Sequence, residues 1–397
     1  MISNTEPIEG ASLAGLYAPV SKLVRPETQQ HATDALPVTV ACHENEVPPF
    51  AGWALERLYG NLYASLTQFE ISGSLKGAST YIVRHGTRIV TLYLFRINKG
   101  RVEVLNEVIK VDEDEVRRFA DYIFTRFPAA QLIAFRAVVV NINRLPYRHL
   151  RFNYLEDTVA QLPESPEAYL ALLGKNVRRN LRRYQKSLEE HCPSYTLRFY
   201  EKDEVRDQDV LDIIALNRAR MSQKQKTSDI DAAESARLLR LAKQGGLVGV
   251  ATIEGRVCGG TIAYRAGENY FLLTLAHDPR YNQHSLGTLC CYLTICESIR
   301  RHQAREFHFL WGRYDYKTLF LGVRRDLDHL TIYRTPSRLL LNPGSAFKPG
   351  FRSLKRRAVL WYHAAKRNNS VAAKLVLPAL MAFRKARGIK STFFREN

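Results

Sequence analysis

ENYFLLTLAHDPRYNQHSLGTLCCYLTICESIRRHQAREFHFLWGRYDYKTLFLGV, residues 268–323, decides how this chain folds. Its first apolar run, Tyr270 to Ala276, has the length and composition of a buried strand and stops at His277-Asp278-Pro279. A polar loop leads to Ser285-Leu286-Gly287-Thr288, where a helix begins. After the helix a second strand, Glu306 to Trp311, stops at Gly312. Strand, glycine-bearing loop, helix and strand together present backbone N–H groups and a positive helix end to a phosphate.

Upstream of this stretch, residues 247–267 read as strands joined by turns, and residues 79–111 read the same way. Both contain Gly-x-Arg-(Ile/Val): Gly86-Thr87-Arg88-Ile89 in the first, Gly255-Arg256-Val257, one residue shorter, in the second. In the first copy a helix (Glu113 to Phe127) and a strand (Gln131 to Val140) follow, so the order of elements repeats. The copies differ where the helix starts. His284-Ser285-Leu286-Gly287-Thr288 carries no carboxylate, whereas Val111-Asp112-Glu113-Asp114-Glu115 carries four. Carboxylates suit a helix N-terminus but repel a pyrophosphate. The first copy is therefore expected to be a structural or acceptor-binding domain.

Between and around the copies, residues 53–69 have helical apolar spacing, and residues 1–45 read as a loose lead-in. Near Leu162 a boundary is marked by Ser165 as N-cap with Pro166 at the first helical position. The helix that follows contains KNVRRNLRRYQKSLEE (175–190). A strand at 196–204 and two helices then lead to Gln244-Gly245-Gly246. The domains expected are 1–45 (lead-in), 46–162, 163–338 and a basic helical tail, 339–397.

The net charge is +19, and from Arg338 onward fourteen Lys or Arg stand against one acidic residue. About two-thirds of the excess thus sits in the tail, which argues for a basic appendage rather than a fold built around nucleic acid. The 46% hydrophobic fraction fills real cores. Six cysteines form no CxxC and no zinc spacing, so no metal is expected, and Cys290, Cys291 and Cys296 read as small core residues. No basic start precedes an apolar run at the N-terminus, and no run of about eighteen apolar residues occurs. A reducing, cytoplasmic setting is the expectation.

Three stretches carry a family resemblance: residues 175–190, HSLGTLCCYLTI (284–295) and DYKTLFLG (315–322). Together they resemble the GNAT acyltransferase fold, and within it the group named after the cellulose-biosynthesis protein CelD. The resemblance reaches the first half through the Fem-type transferases, which use tandem GNAT-like domains. It implies an α/β protein of two GNAT-like domains with mixed central sheets. It also implies acyl transfer from acetyl-CoA or another acyl-CoA, with the donor pyrophosphate at His284, Ser285, Leu286, Gly287 and Thr288. Of the usual Arg/Gln-x-x-Gly-x-Gly/Ala signature only Gly287 clearly survives.

A thioester needs alignment, removal of a proton and an oxyanion site. His277, by its titration range, is the first candidate for the base, with Asp278 the alternative. His308 alternates with Phe307 and Phe309 and is read either as a cleft residue or as a satisfied core histidine. Asp315 or Lys317 would hold the acceptor, and Tyr316 would protonate the leaving thiolate. Arg178, Arg179, Arg182 and Arg183 crowd one helix and read as a solvated face or as a site for an anionic or sugar-containing acceptor.

The tail (residues 345–390) pairs apolar faces with Lys/Arg flanks, which fits an anionic membrane surface on its cytoplasmic side. The function expected is acyl transfer to a sugar, polysaccharide precursor or amine in envelope or exopolysaccharide metabolism. An aminoacyl-tRNA-dependent Fem-type transferase, for which the basic helix would contact tRNA, is the nearest rival. A non-catalytic membrane adaptor is the rival from another class.

Overall fold

The computed structural model describes residues 37–223 and 228–337. The readings made for the chain before residue 37 and for the basic tail lie outside the described residues. The first half runs β1 (Val38–His43), α1 (Ala51–Tyr59), α2 (Leu66–Ile71), β2 (Ser79–His85), β3 (Arg88–Asn98), β4 (Arg101–Val104), β5 (Lys110–Asp112), α3 (Glu113–Arg126), β6 (Leu132–Asn141) and β7 (Arg148–Gln161). The second runs α4 (Pro166–Leu172), α5 (Lys175–His191), β8 (Thr196–Glu201), α6 (Asp207–Gln223), α7 (Ala232–Gly245), β9 (Gly246–Ile253), β10 (Arg256–Ala266), β11 (Asn269–His277), α8 (Leu286–His302), β12 (Glu306–His308), α9 (Asp315–Leu319) and β13 (Val323–Tyr333). The fold is α/β, and the same order of elements recurs in each half.

Local chemistry moves four boundaries away from the sequence expectation. Residues 38–43, expected in the loose lead-in, form β1, which pairs antiparallel with β2. The helix expected over 53–69 breaks after Tyr59, because Gly60 takes the left-handed conformation (φ 49°) that ends α1. The basic helix is separated from the Ser165-capped α4 by Leu173, which is extended, and Gly174. The strand expected over Glu306 to Trp311 pairs only as far as His308, and the chain beyond turns through positive φ at Leu310 (57°) and Gly312 (88°).

The described strands form one sheet in the order β1-β2-β3-β4-β6-β13-β7-β12-β11-β10-β9-β8, with β5 also on β6. The two halves are therefore interlocked. The last strand of the second half, β13, pairs with β6 of the first, and the last strand of the first half, β7, pairs with β12 of the second. β7 and β13 pair with each other along nearly their whole length, Val323↔Val159 to Tyr333↔Arg148. The boundary near Leu162 separates segments of chain; the sheets cross it.

Each half covers its sheet on both faces. In the first, the Phe119 ring of α3 packs 4.8–5.9 Å from those of Tyr81, Tyr93, Phe95 and Phe135, while α1 and α2 cover the other face. In the second, α4, α5 and α8 bury one face over Phe307 and Phe309, and α6 and α7 bury the opposite face. Gly260 permits that second contact, since a Cβ there would meet Gly249 O at 2.4 Å and Ile213 Cδ1 at 2.6 Å.

Truncating Phe119 to Ala should cost about 3–5 kcal/mol. Because the final strands are exchanged, the loss should lower the urea midpoint reported by Trp311 in the second half as well as that reported by Trp53 in the first, read in single-tryptophan variants. An unchanged Trp311 midpoint would show that the halves unfold independently.

Candidate active site

The second half opens where β11 and β12 part. These parallel strands pair only from Asn269↔Glu306 to Phe271↔His308. Just beyond, β11 carries a bulge: Ile262 and Ala263 of β10 face Thr274 and Leu272, leaving Leu273 as the extra residue. A bulge re-aims the strand, and from Leu272 to His277 the edge of β11 turned away from β10 has no strand beside it among the described residues. The first half has no such gap. β5 continues the parallel ladder on β6 to Asp112↔Asn141, and Asn61 Nδ2 donates to Val108 O (2.6 Å) beside it.

The two helix starts also differ as their charges require. At α3, Asp112 accepts from Glu115 N and Glu113 Oε2 accepts from Asn143 N and Arg144 N, so carboxylates satisfy that end. At α8, Ser285 is left-handed (φ 51°), no side chain caps the helix, and no acidic residue stands in its first turn. Intrahelical bonding starts with Thr288 N to Ser285 O (2.9 Å). Ser285 and Thr288 are half-buried, Leu286 and Gly287 buried. His284 is buried and bonded through its ring to Ser187 Oγ (2.8 Å) and to Gln283 (3.0 Å), tying the loop to α5.

His277 lies directly over Gly287. A Cβ at 287 would stand 2.5 Å from His277 Nδ1, and Nε2 meets Asn282 Oδ1 at 2.8 Å. With Nε2–H donating to the amide oxygen, the basic nitrogen is turned into the helix rather than toward the gap. The base role expected of His277 therefore has no open nitrogen to serve it. Asp278 is spent too. It caps the turn after β11 by accepting from Arg280 N (2.9 Å) and pairs with the Arg280 guanidinium (2.6 Å), which holds its carboxyl below the usual range.

Beyond β12, Lys317 points inward. It is 2% exposed and donates from Nζ to Leu310 O (2.9 Å) and Trp311 O (2.5 Å), pinning the turn out of β12. Burial lowers it to about 8. It is a brace for the backbone rather than an exposed hand for an acceptor. Tyr316 packs on Phe309, and burial pushes its hydroxyl far up, so it stays protonated. Asp315 begins α9 and is exposed.

On α5, Arg178 Nη1 donates to Ala171 O (3.0 Å). Arg179, Arg182 and Arg183 are exposed, and no carboxylate among the described residues pairs with them. Lys186 alone on that run has one, Glu190 at 3.5 Å.

His308 stands at the apex of the gap. It is 3% exposed, stacked on Phe271 (4.2 Å between centroids), with Nδ1 at 2.6 Å from Asp157 Oδ2 and Nε2 at 3.1 Å from Glu306 Oε2. Burial alone would lower its pKa, but the two carboxylates outweigh it and the net direction is up. Neither Asp157 nor Glu306 was a candidate from sequence. The visible signal was Glu156-Asp157, two carboxylates inside the run LEDTVA, which an ordinary buried strand does not carry.

Residues 175–318 match the family model described as an acetyltransferase (GNAT) domain. The chain carries a GNAT-type acyltransferase domain. Such a domain takes its acyl group from acyl-CoA, and the carboxylate-free start of α8 beside the gap in the sheet fits that donor. Among solved structures, FemX is similar over 76% of this chain and 99% of its own, with 9% identity and a TM-score of 0.56, which supports the two-unit fold. L-PGS from Bacillus licheniformis (13% identity, 76% and 97% covered, TM-score 0.45) and a tandem GNAT protein from the clavulanic acid biosynthesis pathway (12%, 76% and 99%, 0.38) are also similar. No curated protein matches the chain by sequence. Among the described residues no cluster of His, Cys, Asp or Glu has the arrangement of a metal site, and no helix is long and apolar enough to cross a membrane.

The bonds at His308 carry a pH signature. Glu306 is lowered from 4.5 to about 2, first by its bond to His308, so its contribution to stability is present above about pH 4.5 and lost as pH falls through about 2. The raised His308 acts oppositely: its contribution is full below its ordinary value of 6.5 and lost as pH rises through the folded value. Glu306→Gln should therefore destabilise the protein most between these limits, and urea melts at pH 3 should show a smaller difference from wild type than melts at pH 6. An equal difference at both would detach Glu306 from this pair.

Proposed function

We propose that this protein transfers an acetyl or other acyl group from acyl-CoA to a hydroxyl or amine of a sugar or polysaccharide precursor. The observation that carries this reading is the gap between β11 and β12 beside a helix start free of carboxylates, present in the second half and closed in the first. Attack by a hydroxyl or amine on a thioester held there needs alignment and electrostatic support more than a cofactor. Placement in cell-envelope or exopolysaccharide metabolism rests on the resemblance to the CelD group.

Calorimetry with acetyl-CoA and longer acyl-CoAs tests the donor, and absence of binding by all of them would sink it. Gly287→Ala drives a methyl against His277 and should weaken acetyl-CoA binding by about tenfold or more, about 1.4 kcal/mol or above. Unchanged affinity would move the donor elsewhere.

A second reading, an aminoacyl-tRNA-dependent transferase, is favoured by one observation: the exposed arginines of α5 have no carboxylate partners among the described residues. The same positive charge, with the basic segment 345–390, suits peripheral attachment to anionic lipid on the cytoplasmic face. One experiment separates the readings. Binding to phosphatidylglycerol vesicles that disappears on removal of residues 345–390 supports attachment. Binding of tRNA, weakened by Arg179→Ala and Arg182→Ala together and falling steeply with salt, supports the rival.

A further inference from the structure

Two buried polar atoms beside the gap have no hydrogen-bond partner among the described residues: Asp157 Oδ1 and Thr274 Oγ1. Asp157 is 0% and Thr274 4% exposed. Leaving such atoms unsatisfied costs on the order of 1–3 kcal/mol each, more for a charge, so each calls for a physical explanation.

Their positions in the sheet converge. Asp157 bonds His308, whose ring stacks on Phe271, so the three side chains share a face. It is the face covered by α6 and α7. Thr274 lies opposite Ile262, and Ile262 and Ala276 belong to that same core. The bulge at Leu273 is what gives Thr274 the face that Phe271 has, since without the extra residue the alternation would turn it to the other side. Along the strands, His308 faces Val159 and Phe309 N donates to Thr158 O (2.8 Å), which sets Asp157 two residues past the last β11–β12 pair. Thr274 is three residues past the same pair on β11. One atom is thus carried on each side of the opening, beyond its apex.

We propose that the acceptor's attacking nitrogen or oxygen is held on this face between Thr274 Oγ1 and Asp157 Oδ1, and that Asp157 takes its proton. The proposal rests on the acyl-CoA reading. The acceptor lone pair forms the new C–N or C–O bond to the thioester carbonyl. The C–S bond breaks, and its electron pair leaves on the CoA thiolate, which takes a proton from solvent. The acceptor's N–H or O–H proton passes to Asp157 and from there to solvent.

His308 is the positioning residue, fixing the carboxylate through Oδ2 while Oδ1 stays open. The charged and titratable groups around Asp157 are His308 and Glu306 on β12, Lys317 on α9, Tyr63 in the turn before α2, and Arg325, its register partner on β13. His308 also lines a cavity of about 910 Å³ between the halves, which reaches from Trp53 to Glu306. The base of the second half's reaction thus comes from β7, a strand of the first.

The test is thiol release from acetyl-CoA with water as acceptor, beside calorimetry of acetyl-CoA and thermal melting, in the full chain. Asp157→Asn keeps an oxygen for His308 and removes the charge. It should retain acetyl-CoA affinity and lose thiol release by about a hundredfold or more. Thr274→Val replaces an unpaired hydroxyl with a methyl, so it should melt no lower than wild type while releasing thiol at least about tenfold more slowly. Where Asp157→Asn does not fold, Asp157→Ser also removes the carboxylate and is read in the same assay. Wild-type rates in a folded Asp157 variant, or in Thr274→Val, would overturn the proposal. Loss of acetyl-CoA affinity in the wild type would instead overturn the donor reading beneath it.

Discussion

The exchange of β7 and β13 is the constraint on which the rest of the molecule depends. Each strand is the last of its half, and each completes the sheet of the other. β13 lies between β6 and β7, so its backbone groups are satisfied by both halves at once. Neither half can close its sheet alone without exposing a long strand edge. The exchange also decides chemistry, because it brings Glu156 and Asp157, residues of the first half, beside β12 and α9 of the second. There Glu156 receives the Arg313 guanidinium through two bonds of 2.8 Å, and Asp157 holds His308.

From that seam the asymmetry of the repeat follows. In the first half the parallel ladder is continued by β5 and the helix start is filled with carboxylates, so strand ends and helix end satisfy one another. In the second half β12 is three residues long, the bulge at Leu273 bends β11, and Lys317 holds the outgoing turn by two carbonyls. What remains among the described residues is an edge of β11 without a neighbouring strand and a helix start without a side-chain cap. These are unsatisfied backbone groups of the kind a thioester and a phosphate can use. The repeat has one open site because one copy spends its polar groups internally.

Much of this was legible in the residues. Apolar runs of strand length, the Ser165-Pro166 helix start, the repeated Gly-x-Arg turns and the contrast between Glu113-Asp114-Glu115 and Leu286-Gly287-Thr288 announced an α/β repeat whose two helix starts differ in charge. They work because they are local: caps, turns and periodicity act over a few residues. The roles of individual side chains were not legible. His277 has the right titration range, yet it is folded down on Gly287 and bound to Asn282. Lys317 looked available and is buried. His308 is buried with both ring nitrogens bonded, as one of its two readings had it, but its partners were not legible because they are 2 and 151 residues away in the chain.

By itself the sequence determined the class of the fold, the order of its elements and which helix start is free of carboxylates, since each follows from the character of neighbouring residues. Only the tertiary structure decided that the halves exchange their final strands, that β11 and β12 part after Phe271 and His308, and that Asp157 and Thr274 each stand beside that gap with an oxygen unpaired among the described residues. Those facts depend on strand register between distant segments, and one residue of register, as at Leu273, turns a side chain from one face of the sheet to the other.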